Sequence, residues 1–172
     1  KCPEIFLFVV DEVMKTRNDI TFIVTTSANE IRSNKPELIT LLKTYLTKYP
    51  QNLFLKESQS KEQYYLNLLE SKIQINTADQ DFVSWTMLEA TTCGCQPLYP
   101  YFLSFPEALH FNHTYMYQKN DIADAAKKIG TMIQKEPTTE DFTWVYEKYD
   151  LAWKRMYDIM TKKENNEPLY RN

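Results

Sequence analysis

The residues best suited to bind a ligand lie in one loop and in the helix that follows it. After the predicted strand Ile73–Asn76, the loop carries two acids, Asp79 and Asp81, and ends in Ser84, which can cap a helix. Unpaired N–H groups at a helix N-terminus favour an anion such as a diphosphate. Glu89 follows on the same helix, where a carboxylate can accept the paired hydrogen bonds of a sugar diol. The same spacing also fits a simple helix cap followed by an exposed glutamate.

Helical and strand patterns alternate along the chain and must position this loop. The predicted helix starts are Pro3, Pro36, Ser60 with its capping-box partner Gln63, Ser84 and Asn120. The predicted strands are Ile20–Thr25, Asn52–Leu55, Ile73–Asn76, Pro97–Tyr99 and Tyr115–Tyr117. Strands that alternate with helices predict an α/β fold with a parallel sheet covered on both faces. In such sheets ligands bind beyond the carboxyl ends of the strands, which is where the loop lies.

A long C-terminal helix is predicted from about Thr139 past Met160. Its apolar stripe consists of Phe142, Val145, Tyr149, Trp153, Met156 and Met160. We expect the stripe to pack on this domain as far as Tyr149, and on another domain beyond Trp153. Residues 164–172 form a polar tail.

Composition excludes several classes of protein. The net charge of −3 provides no basic face for non-specific nucleic-acid binding. Gly94 and Gly130 are the only glycines, so a glycine-rich phosphate loop is excluded, which disfavours dinucleotide-binding and P-loop proteins. The 3 cysteines lack the spacing of a zinc site and suit a reducing compartment. No apolar stretch reaches the roughly 20 residues of a membrane span.

The run Asp81–Ala90, followed by Cys93-Gly94-Cys95-Gln96-Pro97, resembles the signature of retaining GT-B glycosyltransferases. That signature is an acid, a glutamate after seven further residues, a small residue and a short helix ending in Cys/Ala-Gly-x-Pro. Leu103–Glu107 matches the following loop of the family, and Lys1–Glu4 resembles the start of the first helix of its donor domain. The segment Cys93–Pro100 is also similar to the tRNA-queuosine mannosyltransferase group.

The resemblance extends from Lys1 to about Met160 and implies a Rossmann-like domain, the C-terminal half of a GT-B fold. Residues 1–137 would bind the nucleotide sugar, and the first strand of the domain would precede Lys1. Residues 138–163 would form the C-terminal helix.

Ligand roles follow from the same resemblance. Glu89 would hold the ribose hydroxyls, and Asp81 with Phe82 would contact the donor sugar. Asp81 stands where the family usually has glutamate, and Val83-Ser84 replaces the more usual Phe-Gly, so altered donor geometry is expected. The residues expected at the diphosphate are Lys1, Val83, Ser84 and Trp85, and those expected at the base are Leu55 and Lys56, mostly through backbone groups.

The implied function is donor binding for the retaining transfer of a hexose from a nucleotide-diphosphate sugar, with no cofactor and no protein-held metal. The N-terminal domain of the same protein would complete the cleft, so this chain alone is expected to transfer nothing. The acceptor would be a glycan, a glycolipid or a modified tRNA. The expected location is cytoplasmic, either free or at the inner face of a membrane. A GT-B nucleotide-sugar epimerase and a degenerate, non-catalytic binding domain remain as alternatives.

Other candidate residues receive structural interpretations. His110 and His113 are spaced like a metal pair, but no third ligand is evident in the sequence. Cys93 and Cys95 flank a helix end, where they are expected to pack as small apolar side chains. The tryptophans expected in the core or at an interface are Trp85, Trp144 and Trp153.

Overall fold

A computed structural model describes residues 2–79, 84–136 and 142–145, together with residues 147, 150, 151 and 154. The helices are α1 (Pro3–Met14), α2 (Pro36–Lys48), α3 (Lys61–Glu70), α4 (Trp85–Thr92), α5 (Phe105–Ala108) and α6 (Ile122–Met132). The strands are β1 (Phe22–Thr25), β2 (Leu53–Lys56), β3 (Ile73–Ile75), β4 (Gln96–Pro100) and β5 (Met116–Tyr117). A 3-10 turn, His113–Tyr115, precedes β5, and residues 143–145 are helical.

Most helices begin at the residues that the sequence predicts. Pro3 and Pro36 are the first residues of α1 and α2, where a missing N–H and a fixed φ suit the first turn. Ser60 and Gln63 form the predicted capping box of α3: the Ser60 hydroxyl accepts from the Gln63 N–H at 3.1 Å, and the Gln63 side chain accepts from the Ser60 N–H at 2.8 Å. Ser84 caps α4.

The predicted cap of α6 is wrong by one residue. Asp121, not Asn120, is the N-cap, and its carboxylate accepts from the Asp124 N–H at 2.9 Å. Asn120 instead adopts a left-handed backbone with φ 64°. Aspartate and asparagine cap helices about equally well, but asparagine tolerates the left-handed region better than most residues, so it occupies the turn and leaves the cap to its neighbour.

The strands form parallel sheets flanked by helices, which confirms the predicted α/β class and gives a Rossmann-like half-domain. β1 pairs with β2, and β4 pairs with β3 and β5, each in parallel. The predicted single sheet is divided, because β1 and β3 do not pair with each other and a cavity of about 1530 Å³ lies between them.

The helices fall into two groups with unequal cores. α1 packs against α2 and α6, and α3 packs against α4. Four side chains of α1 belong to the main buried cluster: Leu7, Val9, Val10 and Val13. A second, smaller cluster consists of Leu68 of α3 with Ala90 and Cys95. α3 is therefore anchored by much less buried apolar surface than α1.

The first part of the C-terminal stripe packs on this domain, as predicted. Phe142 is fully buried and Val145 is 2% exposed. The Phe142 ring lies 5.7 Å from the ring of Tyr115, between centroids. The other members of the stripe, Tyr149, Trp153, Met156 and Met160, lie outside the described residues, as do Thr139 and residues 164–172.

Gly94 ends α4, as predicted, with a left-handed backbone at φ 77°. Its N–H donates to the Thr91 carbonyl at 3.0 Å, and the Cys95 N–H donates to the Ala90 carbonyl at 2.9 Å. These two bonds are those of a Schellman motif, which satisfies carbonyls that a helix end would otherwise leave unpaired.

The two glycines are expected to respond in opposite directions to alanine. Gly94→Ala should lower the free energy of unfolding by about 1–2 kcal/mol, because a Cβ is disfavoured in the left-handed region. Gly130→Ala is the matched control: Gly130 lies within α6 with open space where its Cβ would be, so alanine should raise stability by about 0.5–1 kcal/mol. Urea unfolding of both variants measures the difference, and shifts of the same sign would contradict this account.

Candidate functional site

The candidate site lies along the edge where the parallel strands end. Three of the loops that leave this edge contain a residue with positive φ: Ser58 after β2, Leu103 after β4 and Asn120 after β5. Non-glycine residues in this region store backbone strain, which concentrates at functional sites. The first turn of α3, the helix α4 and the loops after β3 and β5 surround the same edge.

Ser84 fixes the start of α4 from the inside. Its side chain is buried, and its Oγ accepts from the Met87 N–H at 3.3 Å and lies 2.8 Å from the Tyr99 hydroxyl. Because Tyr99 donates to the Gln74 side chain at 2.8 Å, its oxygen accepts from Ser84. The hydroxyl of Ser84 is thus hydrogen-bonded within the fold, which leaves the backbone of this residue for a ligand.

Glu89 accepts hydrogen bonds at both of its carboxylate oxygens. Its Oε1 accepts from the Lys61 ammonium and from the Tyr65 hydroxyl at 3.2 Å, and its Oε2 accepts from the Tyr64 hydroxyl at 3.1 Å. The ammonium also lies 4.8 and 4.9 Å from the centroids of the Tyr64 and Tyr65 rings. With 21% of its side chain exposed, Glu89 is not the solvated helical glutamate that spacing alone also allowed.

The charges of this cluster are set by its contacts. Burial raises the pKa of Glu89, but the hydrogen bonds from Lys61 and Tyr64 outweigh it and hold the pKa below its usual value. The bond to Glu89 raises the pKa of Lys61. Burial, followed by the Glu89 charge, raises the pKa of Tyr64. At neutral pH the cluster is therefore a carboxylate facing an ammonium and a protonated phenol.

A second polar cluster follows β3 and β5. One carboxylate oxygen of Asp79 accepts from the Cys2 thiol at 2.8 Å, and the other lies 3.1 Å from the Lys119 ammonium. Lys119 also lies 3.5 Å from the centre of the Phe102 ring. The Cys2 hydrogen bond and then Lys119 lower the pKa of Asp79, and the same thiol bond raises the pKa of Cys2. Lys119 thus places a cation at the edge of the loop expected to hold the donor.

Several predicted ligand residues lie outside the described residues: Lys1, Asp81, Phe82 and Val83. Trp85 is the first residue of α4 and 59% exposed, so it does not lie in the core, and the predicted alternative of an interface stays a prediction. The buried face of α4 is occupied by Met87, Ala90 and Thr91, which leaves the indole on the outer side of the helix.

The residues predicted at the base occupy the end of β2. Leu55 is half-buried and Lys56 is the last residue of the strand. The Lys56 ammonium donates to the Asn67 side chain on α3, and Asn67 in turn donates to Gln59 at 3.1 Å. The Lys56 side chain is thus engaged with α3, and what this strand end offers a ligand is backbone.

The two cysteines at the end of α4 pack as apolar groups, as predicted. Cys95 is fully buried beside Leu68 and Ala90, and burial raises its pKa to about 12. Cys93 is half-buried, and burial raises its pKa as well. Protonated thiols of this kind are poor nucleophiles and poor metal ligands.

The two histidines contact different aromatic rings. His113 stacks on Tyr101 at 5.7 Å, and the His110 ring lies 4.6 Å from the ring of Trp144. Within the described part of the chain, no group of three or more His, Cys, Asp or Glu side chains could hold a metal ion. Both rings have packing roles in the segment around β5.

Sequence reasoning missed Lys61, Tyr64, Tyr65 and Lys119 as candidate site residues. The signal was available, because Lys61 follows β2 and Lys119 follows β5. The rule that ligands bind beyond the carboxyl ends of parallel strands applies to every strand of the sheet. Applied to all strands, it would have selected both lysines.

The fold and this edge together define a Rossmann-like half-domain with a hydrogen-bonded carboxylate at the carboxyl ends of its strands. One segment of 47 residues is 47% identical to the tRNA-queuosine alpha-mannosyltransferase of Drosophila melanogaster. The match covers 27% of this chain and 12% of the length of that relative. It indicates a partial relationship to a glycosyltransferase.

No protein-family profile matches the chain, and no solved structure matches it. Among the residues that the structure describes, no helix has the length and apolarity needed to cross a membrane.

Proposed function

We propose that this chain is the donor-binding domain of a GT-B glycosyltransferase and binds a nucleotide-diphosphate sugar. The observation that carries the proposal is Glu89, an ionised carboxylate in α4 whose two oxygens both accept hydrogen bonds at the edge where Rossmann-like sheets bind ligands. The partial similarity to a mannosyltransferase supports the same class.

In the proposed complex, the ribose diol replaces the side chains of Lys61, Tyr64 and Tyr65, which are the hydrogen-bond donors that contact Glu89. Lys61 is the easiest of these donors to displace, because 63% of its side chain is exposed and a surface ion pair contributes only about 0–1 kcal/mol. The hydroxyls of Tyr64 and Tyr65 already make O–H to carboxylate bonds of the type that a diol makes. Hydroxyl donors at both carboxylate oxygens support the proposed contact with a ribose diol.

The remaining parts of the donor extend from Glu89 towards the start of α4. The diphosphate lies at that helix start, which favours negative charge, with Lys1 and the backbone of Val83, Ser84 and Trp85 around it. Asp81 and Phe82 contact the sugar, and the backbone of Leu55 and Lys56 contacts the base. No protein-held metal takes part.

Transfer requires the other half of the cleft, from an N-terminal domain of the same protein, and the reaction retains the anomeric configuration. The similar protein of Drosophila melanogaster is a tRNA-queuosine alpha-mannosyltransferase. Among a glycan, a glycolipid and a modified tRNA, this similarity favours mannosyl transfer to a modified tRNA. The chain carries a net charge of −3, so contacts with a tRNA backbone would fall mainly to the other domain. The proposed location is the cytoplasm.

Titration of the 172-residue chain with UDP, GDP and ADP tests the proposal. We expect one of them to bind with an affinity of roughly high-micromolar to millimolar, because half the cleft is absent, and the chain to transfer no sugar from the corresponding nucleotide sugar. Calorimetry measures the first and a radiolabelled donor assay the second. Failure of all three nucleotides to bind would favour a degenerate domain. Transfer by the chain alone would contradict the division between the two domains, and epimerisation of the donor would identify an epimerase.

A further inference from the structure

Lys119 is a cation at the carboxyl ends of β3, β4 and β5. The described residues that directly follow these strands are 76–79, 101–104 and 118–121, and Lys119 is the one basic residue among them. The resemblance to GT-B glycosyltransferases assigns no ligand to the loop after β5. Because phosphate oxygens form strong charge-assisted hydrogen bonds with ammonium groups, a cation at this edge would bind the diphosphate of a nucleotide.

The turn that carries Lys119 is fixed on its N-terminal side. The Gln118 N–H donates to the Asp124 carboxylate on α6 at 2.8 Å. Tyr117, the last residue of β5, is buried, and its hydroxyl donates to the Asn76 carbonyl at the end of β3 at 2.8 Å. The backbone at Lys119 is therefore held beside the end of β3, so its ammonium needs little reorganisation to meet a ligand there.

Two groups hold the Lys119 ammonium, and a phosphate can replace one of them. The Phe102 ring centre lies 3.5 Å from it, and this cation–π contact can persist when an anion binds from the other side. The second group is the Asp79 carboxylate at 3.1 Å, and 49% of the Asp79 side chain is exposed. Exposed ion pairs contribute little to stability, and Asp79 keeps its hydrogen bond from the Cys2 thiol when Lys119 leaves.

Lys119 and Glu89 contact different parts of the fold. The described partners of Glu89 belong to α3, whereas Asp79 and Phe102 belong to the loops after β3 and β4. The start of α4 lies over β4, because Ser84 Oγ is 2.8 Å from the Tyr99 hydroxyl. A nucleotide with its ribose at Glu89 and its phosphates at this helix start would therefore bring the phosphate farther from the ribose towards Lys119.

We propose that Lys119 binds the β-phosphate of the nucleotide sugar and thereby makes this domain select nucleoside diphosphates over monophosphates. This role rests on the proposed function, because it uses the ribose position at Glu89. When the nucleotide binds, the ammonium passes from the Asp79 carboxylate to a phosphate oxygen, and the Phe102 ring keeps it in place. Asp79 thus orients Lys119 before binding and competes with the phosphate for it.

NMR titrations with the paired mono- and diphosphates of adenosine, guanosine and uridine test this role. We expect the 172-residue chain to bind at least one diphosphate about tenfold more tightly than the matching monophosphate, and Lys119→Gln to reduce this preference to about twofold. Lys119→Arg keeps the cation and should retain most of the preference. Lys127→Gln is the matched control, because Lys127 is exposed on α6 and its change removes the same charge outside the site.

Asp79→Asn provides a second test, in which the expected result is a gain that loss of folding cannot produce. Asparagine keeps an oxygen for the Cys2 thiol but competes less for the ammonium, so affinity for the diphosphate should rise about threefold or more. Loss of a negative charge could also raise affinity without Lys119. The double variant Asp79→Asn with Lys119→Gln separates the two causes, because the gain should disappear in it.

The outcomes distinguish this role from the proposed function. If a diphosphate binds but Lys119→Gln weakens the mono- and diphosphate equally, Lys119 does not contact the β-phosphate, and the proposed function stands. A gain from Asp79→Asn that persists in the double variant would also overturn the role. If no nucleotide binds to the parent chain, the proposed function fails and the role of Lys119 fails with it. Should thermal melts show that Lys119→Gln does not fold, Asp79→Asn decides: a gain for the diphosphate alone supports the role, and an equal gain for both nucleotides contradicts it.

Discussion

Glu89→Gln is expected to weaken binding of the nucleoside diphosphate by about tenfold to a hundredfold. Glutamine keeps the shape of the side chain but has one acceptor oxygen and no charge, so it loses charge-assisted bonds worth about 1.5–3 kcal/mol each. Lys61 stays solvated when its partner is neutral, because most of its side chain is exposed. NMR titration of the chain measures the change, since it can follow the millimolar and weaker affinities expected of the variant.

Glu37→Gln is the matched control for this substitution. Glu37 lies exposed in the first turn of α2, so its change removes the same charge without touching the site and should leave nucleotide affinity unaltered. Thermal melts of both variants exclude loss of folding as the cause. If the Glu89→Gln chain binds nucleotide as tightly as the parent chain, Glu89 does not hold the ribose.

Phe142→Ala is expected to lower the free energy of unfolding by about 3–5 kcal/mol. Phe142 is fully buried against Tyr115, and truncation of a buried phenylalanine removes its transfer free energy and leaves a cavity. Denaturant unfolding measures the loss. This loss approaches the whole stability of a small domain. Phe142→Leu removes less volume and therefore provides a second variant if Phe142→Ala does not fold.

Leu151→Ala is the control for that experiment. Leu151 belongs to the same C-terminal region but is 51% exposed, so its truncation should change stability by less than about 0.5 kcal/mol. A Phe142→Ala chain as stable as the Leu151→Ala chain would mean that residues 142–145 do not belong to the core of this domain.

The features predicted best from the sequence are those determined by a few neighbouring residues. The capping box of Ser60 and Gln63, the cap at Ser84 and the helix end at Gly94 each depend on local backbone geometry, and each is present. The one-residue error at Asn120 has the same origin, because two adjacent residues could both cap and only the path of the turn distinguishes them.

The partners of the site could not be predicted in this way. Lys61 and Glu89 are 28 residues apart in sequence, and their contact exists only because α3 packs on α4. Likewise, the exposure of Trp85 depends on which face of α4 the core occupies. Asp81, Phe82 and Val83, which the resemblance assigns to the donor, lie outside the described residues, and their roles remain predictions.

The small buried apolar surface of α3 has an evolutionary consequence. Lys61, Tyr64 and Tyr65 lie on a helix whose buried side chains are Asn67 and Leu68 alone, whereas the opposite layer of helices contains most of the core. The main core lies elsewhere, but these three side chains meet at Glu89, so substitutions among them should couple with one another while leaving that core unchanged. In descendants of this domain, the ligand bound at the carboxyl ends of the strands can therefore change while selection on the core residues stays the same.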